Sequence, residues 1–164
     1  MTNLHDVLAR YVAWGEPHPV REGEDMALGN TLGPPASQPS IAQAWPDGVD
    51  PDAAALWAAT GEARLFEDVT YGQWGLHLLS PAASAARTAR ERTDRPDDIR
   101  PDDVVVGEFL GDQDLLILAP SESGDRRVLL ALPLDKRDVW SGAAPSLADF
   151  LARYYDALGD KYWE

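Results

Sequence analysis

The sequence predicts an α+β domain in which a mostly antiparallel sheet, a meander of about five to six strands, packs with N-terminal, central and C-terminal helices. Two observations support this fold class. Three apolar strand segments follow one another at residues 104–110, 115–119 and 127–133, and their connections are short enough to make them antiparallel neighbours. Segments with helical spacing of apolar residues and recognisable N-caps stand at the beginning, in the middle and at the end of the chain.

A helix opens the chain. Asn3 is the predicted N-cap, because Asp6 follows three residues later in the capping position. Apolar residues recur at the spacing of one helical face, which is formed by Leu4, Val7, Leu8, Tyr11 and Val12. Trp14 and Gly15 end this helix.

Residues 16–40 are rich in proline and glycine, which favours an irregular connection over a regular element. Within this connection, Val20 and residues 26–28 are the candidates for a short strand or anchor. We assign residues 1–164 to a single domain, because 164 residues, 45% of them hydrophobic, fit one domain with one hydrophobic core.

A second helix has clear start and stop signals. Asp50 is its N-cap and Pro51 occupies the first helical position, where the missing N–H has no helical partner to lose. Gly61 is predicted to end the helix in a left-handed conformation. Short strands are expected to follow at residues 64–66 and 74–79.

Pro81 opens a third helix that extends to about Arg92. Its predicted apolar face is formed by Ala82, Ala86 and Ala89. Turns at residues 111–114 and 121–125 then join the three strands of the meander at hairpin length.

Val139 and Trp140 are predicted as a last short strand. The final helix begins at the N-cap Ser146, with Asp149 in the capping-box position. Its apolar face is formed by Leu147, Phe150, Leu151, Tyr154 and Leu158.

The formal net charge of −14 restricts the kinds of partner. Such a field repels nucleic-acid phosphates and anionic membranes, so we predict neither as a partner; it favours a basic protein partner, or serves solubility alone. The absence of cysteine excludes disulfides and thiolate chemistry and suits a reducing cytoplasm. The first residues lack the apolar core of a signal peptide, and no segment has the roughly 18 apolar residues of a membrane span, so we expect a cytoplasmic protein.

The sequence contains few residues that could form a catalytic site. His5, His18 and His77 have no metal-ligand spacing, and no P-loop, dinucleotide-binding glycine motif or nucleophile elbow is present. Acidic clusters such as residues 47–52 lack the spacing of a calcium loop. Paired carboxylates for glycoside hydrolysis remain an alternative, but an acidic chain produces such pairs by chance. We therefore predict a protein without catalytic residues, metal or cofactor.

A binding protein of this charge would use carboxylates in loops near the meander, with aromatic side chains as anchors. The predicted partner-binding residues are Glu108, Asp112, Asp114, Asp135, Trp74 and Trp140. For each of them the alternative is an ordinary surface residue or a residue at the rim of the core.

The order of elements resembles the SUKH superfamily, which includes bacterial immunity proteins and fungal cell-wall regulators. The resemblance spans roughly residues 41–158 and rests on short structural motifs. These are Trp45-Pro46 before a capped helix, Gly61 at its end, Leu65-Phe66 in a strand, Val106-Gly107 in the next, and Asp149-Phe150-Leu151 in the closing helix. Two features depart from the family pattern, since Thr60-Gly61 replaces the usual Asn-Gly and residues 16–40 form a longer connection.

The resemblance implies a cytoplasmic immunity protein that binds and neutralises a polymorphic or contact-dependent toxin domain of nuclease or deaminase type. It implies a monomer or weak homo-oligomer and brings no catalytic residues. A basic cognate toxin domain would agree with the acidic charge. The alternatives are a non-catalytic regulatory or scaffold protein that binds a host factor and, less favoured, an enzyme whose site carries no known motif.

Overall fold

A computed structural model describes all 164 residues and contains one open antiparallel sheet of seven strands, each hydrogen-bonded to the next along the chain. The strands are β1 (Leu28–Leu32), β2 (Ala63–Asp68), β3 (Leu76–Leu78), β4 (Val104–Phe109), β5 (Leu115–Leu118), β6 (Val128–Ala131) and β7 (Ser141–Ala144). The helices are α1 (Leu4–Ala13), α2 (Gln38–Ala44), α3 (Pro51–Ala59), α4 (Pro81–Asp94) and α5 (Leu147–Asp156). The predicted α+β meander is confirmed, with more strands than expected.

The main core lies on one face of the sheet, under α1, α3 and α5. Alternate strand residues point toward it, and among them are Leu65, Leu76, Leu78, Leu116, Leu118 and Leu130. The helices contribute Tyr11, Trp57 and Phe150, each at most 1% exposed. Full burial of one such large side chain stabilises the fold by about 1.5–3 kcal/mol. This face therefore provides most of the apolar burial.

The opposite face of the sheet is divided into two halves. On the half formed by β4 to β7, a smaller apolar cluster that includes Ile117, Leu129 and Trp140 is buried. On the half formed by β1 to β4, the cross-strand neighbours Arg64, His77 and Glu108 form a polar row. His77 Nε2 lies 2.6 Å from a carboxylate oxygen of Glu62, and Glu108 pairs with Arg87 of α4 at 3.0 Å.

Helix α4 packs beside β4 where the short β3 has ended. Ser84 Oγ donates a hydrogen bond to the carbonyl oxygen of Val105 (2.5 Å), and the N–H of Val105 donates to Thr88 Oγ1 (2.9 Å). The side chains of α4 thus replace a strand neighbour. The predicted apolar face of this helix is wrong, because Ala82, Ala86 and Ala89 are all exposed. The buried residues are Pro81, Ser84, Thr88 and Glu91.

Three other predictions are corrected. Residues 16–40 are not irregular throughout, since they contain β1 and the start of α2. Val139 ends a 3₁₀ turn and Trp140 follows it, and the last strand begins only at Ser141, because Trp140 turns into the second-face cluster. Gly61 is not left-handed. It is needed for close approach, since an added Cβ would lie 3.0 Å from the carbonyl oxygen of Pro34.

Both edges of the sheet are partly covered. At β1, the backbone N–H and C=O of Leu28 pair with those of His18. At β7, the carbonyl oxygen of Ala143 accepts hydrogen bonds from Arg153 (2.9 Å) and from the hydroxyl of Tyr162 (2.7 Å). Covered edges are less able to pair with a strand from another chain. None of the five helices combines the length and apolar character that a membrane crossing needs.

Candidate protein-interaction site

The turns between β2 and β3, between β4 and β5, and the start of the connection between β6 and β7 lie at one end of the sheet, which we call the acidic end. They bring together Trp74, Asp112, Asp114 and Asp135, four of the six predicted partner-binding residues. Trp74 is half-buried, and its indole N–H donates to the carbonyl oxygen of Gly159 at 3.2 Å. The structure thus places four of the six residues at one end of the sheet, and their contact with a partner remains a prediction.

Two carboxylates of the acidic end are already engaged within the chain. Lys161 pairs with Asp112 and, at 3.0 Å, with Asp114. The side chains of Lys161 and Asp114 are only 8% and 7% exposed. Burial raises the pKa of Asp114, and the charges of Glu164 and Asp135 raise it further. Burial also lowers the pKa of Lys161. Asp112 and Asp114 thus hold the C-terminal residues against the sheet, a role that the sequence did not predict.

The two remaining predicted residues lie elsewhere. Glu108 belongs to the polar row of the second face, where Arg87 neutralises it. Trp140 is only 2% exposed; its indole N–H donates to the carbonyl oxygen of Asp135 at 2.9 Å, and its ring lies 5.0 Å from the guanidinium of Arg95. Trp140 is a core residue, because a short connection folds it onto the second-face cluster. Its prediction as an aromatic anchor for a partner is corrected.

The pairing of charges across the molecule is uneven. Every basic side chain except those of Arg92, Arg127 and Lys136 has a carboxylate oxygen within 4.0 Å. Many carboxylates have no basic partner. The exposed ones are Asp6, Glu16, Glu22, Asp25, Asp47, Asp97, Asp102, Asp138 and Glu164. The net charge of −14 therefore appears at the surface as unpaired carboxylates.

The largest cleft, about 760 Å³, is lined entirely by polar and charged residues. Within it, Glu122 pairs with Arg100, with Arg126 (3.7 Å) and with Arg137 (3.5 Å). Arg137 also forms two hydrogen bonds with the fully buried Asp103. These ion pairs form a network that joins two connections, while Asp97, Lys136 and Asp138 of the same cleft have no partner of opposite charge within 4.0 Å and Arg137 Nε has no acceptor.

A second concavity of about 470 Å³ has different chemistry, and we call it the Trp45 pocket. It lies between the α2–α3 connection, α4 and the connections that flank β4 and β5. Its principal lining residues are Trp45, Asp47, Asp50, Arg92, Asp102 and Pro120. Three further prolines also line it, at positions 46, 51 and 101. It therefore combines an aromatic ring, rigid apolar walls, three carboxylates and one arginine.

Local structure fixes the walls of the Trp45 pocket. The ring of Trp45 packs nearly parallel to the buried ring of Trp57, with centroids 6.3 Å apart. Asp50 caps α3 by accepting the N–H of Asp52 at 2.8 Å, as predicted. Burial raises the pKa of Asp50. Arg92 donates to the carbonyl oxygens of Pro101 (2.5 Å) and Asp103 (3.2 Å) and has no carboxylate partner.

Two residues that line this pocket each carry a nitrogen that is closed to solvent and lacks an acceptor. Four side-chain atoms in the whole chain are buried without a hydrogen-bond partner, and Trp45 Nε1 and Arg92 Nε are two of them. In contrast, the indole N–H groups of four other tryptophans donate to backbone carbonyls, namely Trp14, Trp57, Trp74 and Trp140. The sequence signal for this site is Trp45-Pro46 followed by the acidic residues 47–52, from which the sequence indicated a helix cap at Asp50 but no binding pocket.

No group of three or more His, Asp or Glu side chains in the structure has an arrangement that could hold a metal ion. Comparison with known proteins adds no assignment, since no protein-family model matches the chain and no curated protein matches it significantly.

Proposed function

We propose that this protein is a non-catalytic immunity protein of SUKH type that binds and neutralises a basic toxin domain. The observation that carries the proposal is the uneven pairing of charge. Nearly all basic side chains are engaged with carboxylates of the same chain, and a surplus of unpaired carboxylates faces solvent. Such a surface attracts a basic protein over long distances and repels nucleic acid.

A toxin domain that cleaves or deaminates nucleic acid needs a positively charged groove for the phosphate backbone. A strongly acidic protein that occupies this groove excludes the substrate and steers its own association. The covered edges at β1 and β7 favour contact through side chains over strand addition. The resemblance of Trp45-Pro46, Leu65-Phe66 and Asp149-Phe150-Leu151 to the SUKH pattern supports the same class of function.

The proposal is tested by identifying the genes adjacent to the one for this protein and co-expressing it with any basic toxin domain of nuclease or deaminase type that they encode. We expect growth to be rescued and a stable complex to be isolated. Association should slow steeply between about 50 mM and 500 mM salt, because surface charges are screened beyond about one Debye length. A host factor bound without growth rescue would instead indicate a regulatory or scaffold protein.

A matched pair of variants separates electrostatic steering of association from general effects of mutation. Substitution of the unpaired Asp6, Asp25 and Asp97 by Asn should slow association and flatten its dependence on salt. Substitution of the unpaired Arg127 and Lys136 by Gln should accelerate association, because it makes the surface more acidic. Equal association rates for both variants would contradict electrostatic recognition. Asp112 and Asp114 are unsuitable for this test, since their loss would leave Lys161 buried and unpaired.

A further inference from the structure

We infer that the acidic end is the surface that binds the basic partner, and that the exposed side chains of Val69, Tyr71 and Leu134 are its apolar anchors. This inference rests on the proposed function, since it names the surface through which the toxin domain is recognised. Large apolar side chains stand at the tips of two turns, hydrogen bonds within the chain hold those turns in place, and an excess of carboxylates surrounds them.

The exposed apolar side chains are concentrated at this end of the sheet. Val69 is 53% and Tyr71 is 63% exposed in the β2–β3 turn, and Leu134 is 97% exposed in the β6–β7 connection. They are three of the seven exposed large apolar side chains in the molecule. Turns are normally built from small and polar residues, and apolar side chains gathered within a polar rim mark a surface for contact with another protein.

The turns of the acidic end form one continuous surface. The β4–β5 turn touches the β2–β3 turn, since a Cβ added at Gly111 would lie 2.6 Å from the carbonyl oxygen of Gln73. The N–H of Leu110 also donates to the carbonyl oxygen of Gly75 at 2.9 Å. The β2–β3 and β6–β7 connections are separated by about four strand spacings, or roughly 19 Å. A surface of this width fits within the roughly 800 Å² that a stable interface buries on each partner.

Hydrogen bonds hold the β2–β3 turn in place. The buried carboxylate of Asp68 accepts the backbone N–H groups of Thr70 (2.9 Å) and Tyr71 (3.0 Å). The N–H of Val69 donates to the carbonyl oxygen of Ala27 at 3.0 Å. A turn fixed in this way presents the ring of Tyr71 to a partner at little cost in conformational entropy.

The tip that carries Leu134 is fixed as well. Pro133 precedes it and restricts the backbone. The carbonyl oxygen of Asp135, which follows it, accepts the indole N–H of Trp140 at 2.9 Å and an N–H of the Arg95 guanidinium. Because Trp140 is a core residue, these bonds join the tip to the body of the protein. Leu134 therefore stands on a rigid support, ready to enter an apolar pocket of a partner.

Carboxylates around these tips determine the charge of the partner. Asp112, Asp114, Asp135 and Glu164 share one ammonium group, that of Lys161, which pairs with the first two. The charges of Asp135 and Glu164 both act on Asp114, so these carboxylates lie near one another. The acidic end thus carries an excess of negative charge, which is complementary to an apolar pocket with lysines and arginines at its rim.

The same charge opposes two other occupants of this surface. A second copy of the chain would bring like charges together, and such contacts cost several kcal/mol. An anionic membrane would repel the carboxylates as well. A basic protein is the occupant that both buries the apolar tips and compensates the charge.

Paired substitutions test the apolar anchors in the complex with the toxin domain. Tyr71→Ser with Leu134→Ser should weaken binding about thirtyfold or more, as measured by isothermal titration calorimetry. Val12→Ser with Val139→Ser removes side chains that are 65% and 62% exposed outside the three turn tips, and it should change the affinity by less than about twofold. Because all four side chains are exposed, neither pair should shift the midpoint of urea denaturation. Equal affinities of the two paired variants would overturn the inference.

A second pair of variants tests the charged rim. Asp135→Asn with Glu164→Gln should slow association about three- to fivefold at low salt, as measured by stopped-flow fluorescence. Asp47→Asn with Asp102→Asn removes the same charge from exposed positions in the Trp45 pocket, and it should slow association by less than about twofold. Equal slowing by both pairs would contradict recognition of the partner's charge at the acidic end.

Short random peptides displayed on phage provide a probe that does not require the toxin domain. Peptides selected on the immobilised protein should combine lysine or arginine with apolar residues. In a proton–nitrogen correlation spectrum, a synthetic copy should shift the indole N–H signal of Trp74 and leave that of Trp57 in place. Tyr71→Ser with Leu134→Ser should abolish this shift. Peptides that bind without moving the Trp74 signal, or a dimer of this chain that the same two substitutions dissociate, would overturn the inference.

Failure of this inference can be distinguished from failure of the proposed function. If the protein neutralises a basic toxin domain and Tyr71→Ser with Leu134→Ser leaves the affinity unchanged, another surface binds the toxin and the function stands. If the selected peptides bind the tips but no basic toxin domain is neutralised, the acidic end stands as an interaction surface and the partner belongs to another class.

Discussion

At the scale of single residues, Arg137 and Asp103 form a buried ion pair. Asp103 is fully buried and the side chain of Arg137 is 9% exposed. Asp103 also accepts the backbone N–H of Arg100 at 2.8 Å, so the pair joins the connection before β4 to the connection before β7. A buried ion pair contributes little over an apolar pair, but the loss of one partner leaves the other charge without compensation.

We expect Asp103→Asn to lower the free energy of unfolding by about 3 kcal/mol, because it leaves the Arg137 guanidinium buried beside a neutral amide. Urea denaturation followed by tryptophan fluorescence measures this loss. Asp138→Asn, at an exposed position in the neighbouring connection, is the control and should change stability by less than about 0.5 kcal/mol. A loss below about 1 kcal/mol for Asp103→Asn would indicate that Glu122 alone compensates Arg137.

At the scale of elements, α4 is unusual because its buried face is polar. Ser84 and Thr88 are at most 1% exposed and satisfy the backbone of Val105 in place of a strand neighbour. At Val105, α4 takes the place of β3 as the neighbour of β4 and satisfies the backbone groups of β4 that β3 does not reach.

Thr88→Val keeps the size of the side chain and removes the acceptor for the N–H of Val105. We expect it to destabilise the protein by about 1–3 kcal/mol, since a buried donor is left without a partner. Thr93→Val is the matched control, because Thr93 lies on the exposed side of the same helix and bonds only to Ala89. Urea denaturation compares the two variants, and hydrogen exchange should accelerate at Val105 only in the first. Equal stability of the two would contradict this role of Thr88.

The element scale also shows what the sequence could predict. N-caps at Asn3, Asp50 and Ser146 depend on neighbouring residues only, so the helices they begin were predicted correctly. The buried face of α4 could not be predicted, because its alanines match a weak apolar stripe, while the actual contacts of Thr88 depend on where β3 stops. The reason for a glycine at position 61 could not be predicted either, because the carbonyl oxygen that approaches it belongs to Pro34, which is distant in sequence.

At the acidic end, the positions of the residues could be predicted from the sequence, whereas their ion pairs could not. Trp74, Asp112, Asp114 and Asp135 share one end because successive turns of a meander alternate between the two ends of the sheet, a consequence that the predicted strand order contains. The ion pairs of Asp112 and Asp114 with Lys161 could not be predicted. Lys161 lies far along the chain and approaches them only when the C-terminal residues fold back. Surplus charge is a property of composition, but its location depends on tertiary pairing.

At the scale of the whole molecule, two buried tyrosines and one partly buried tyrosine make stability sensitive to alkaline pH. Burial raises the pKa of Tyr11, of Tyr154 and of Tyr162 in the folded state. The hydroxyls of Tyr11 and Tyr162 donate to the carbonyl oxygens of Leu151 (2.6 Å) and Ala143 (2.7 Å). In the unfolded chain, the same groups lose their protons near pH 10.

Above about pH 10 the unfolded state therefore binds fewer protons than the folded state, and stability falls as pH rises. We expect the free energy of unfolding to change little on account of these groups between about pH 8 and 9. It should then decline by up to about 1.4 kcal/mol per pH unit for each tyrosine. Urea denaturation over this pH range measures the slope.

Tyr162→Phe should make the alkaline slope shallower, whereas Tyr71→Phe should leave it unchanged, because Tyr71 is 63% exposed. An alkaline slope that is unaffected by Tyr162→Phe would contradict the contribution of this buried hydroxyl.

In the Trp45 pocket, the residues that set the charge are different from those that set the shape. Asp47 and Asp102 stand in connections and are exposed, and Asp102 accepts only a hydrogen bond from Ser121 at 3.2 Å. Trp57 and the cap at Asp50 hold the shape of the pocket from beneath. We therefore expect substitutions at positions 47 and 102 to leave folding intact, so that the charge of this pocket can change while its shape is kept.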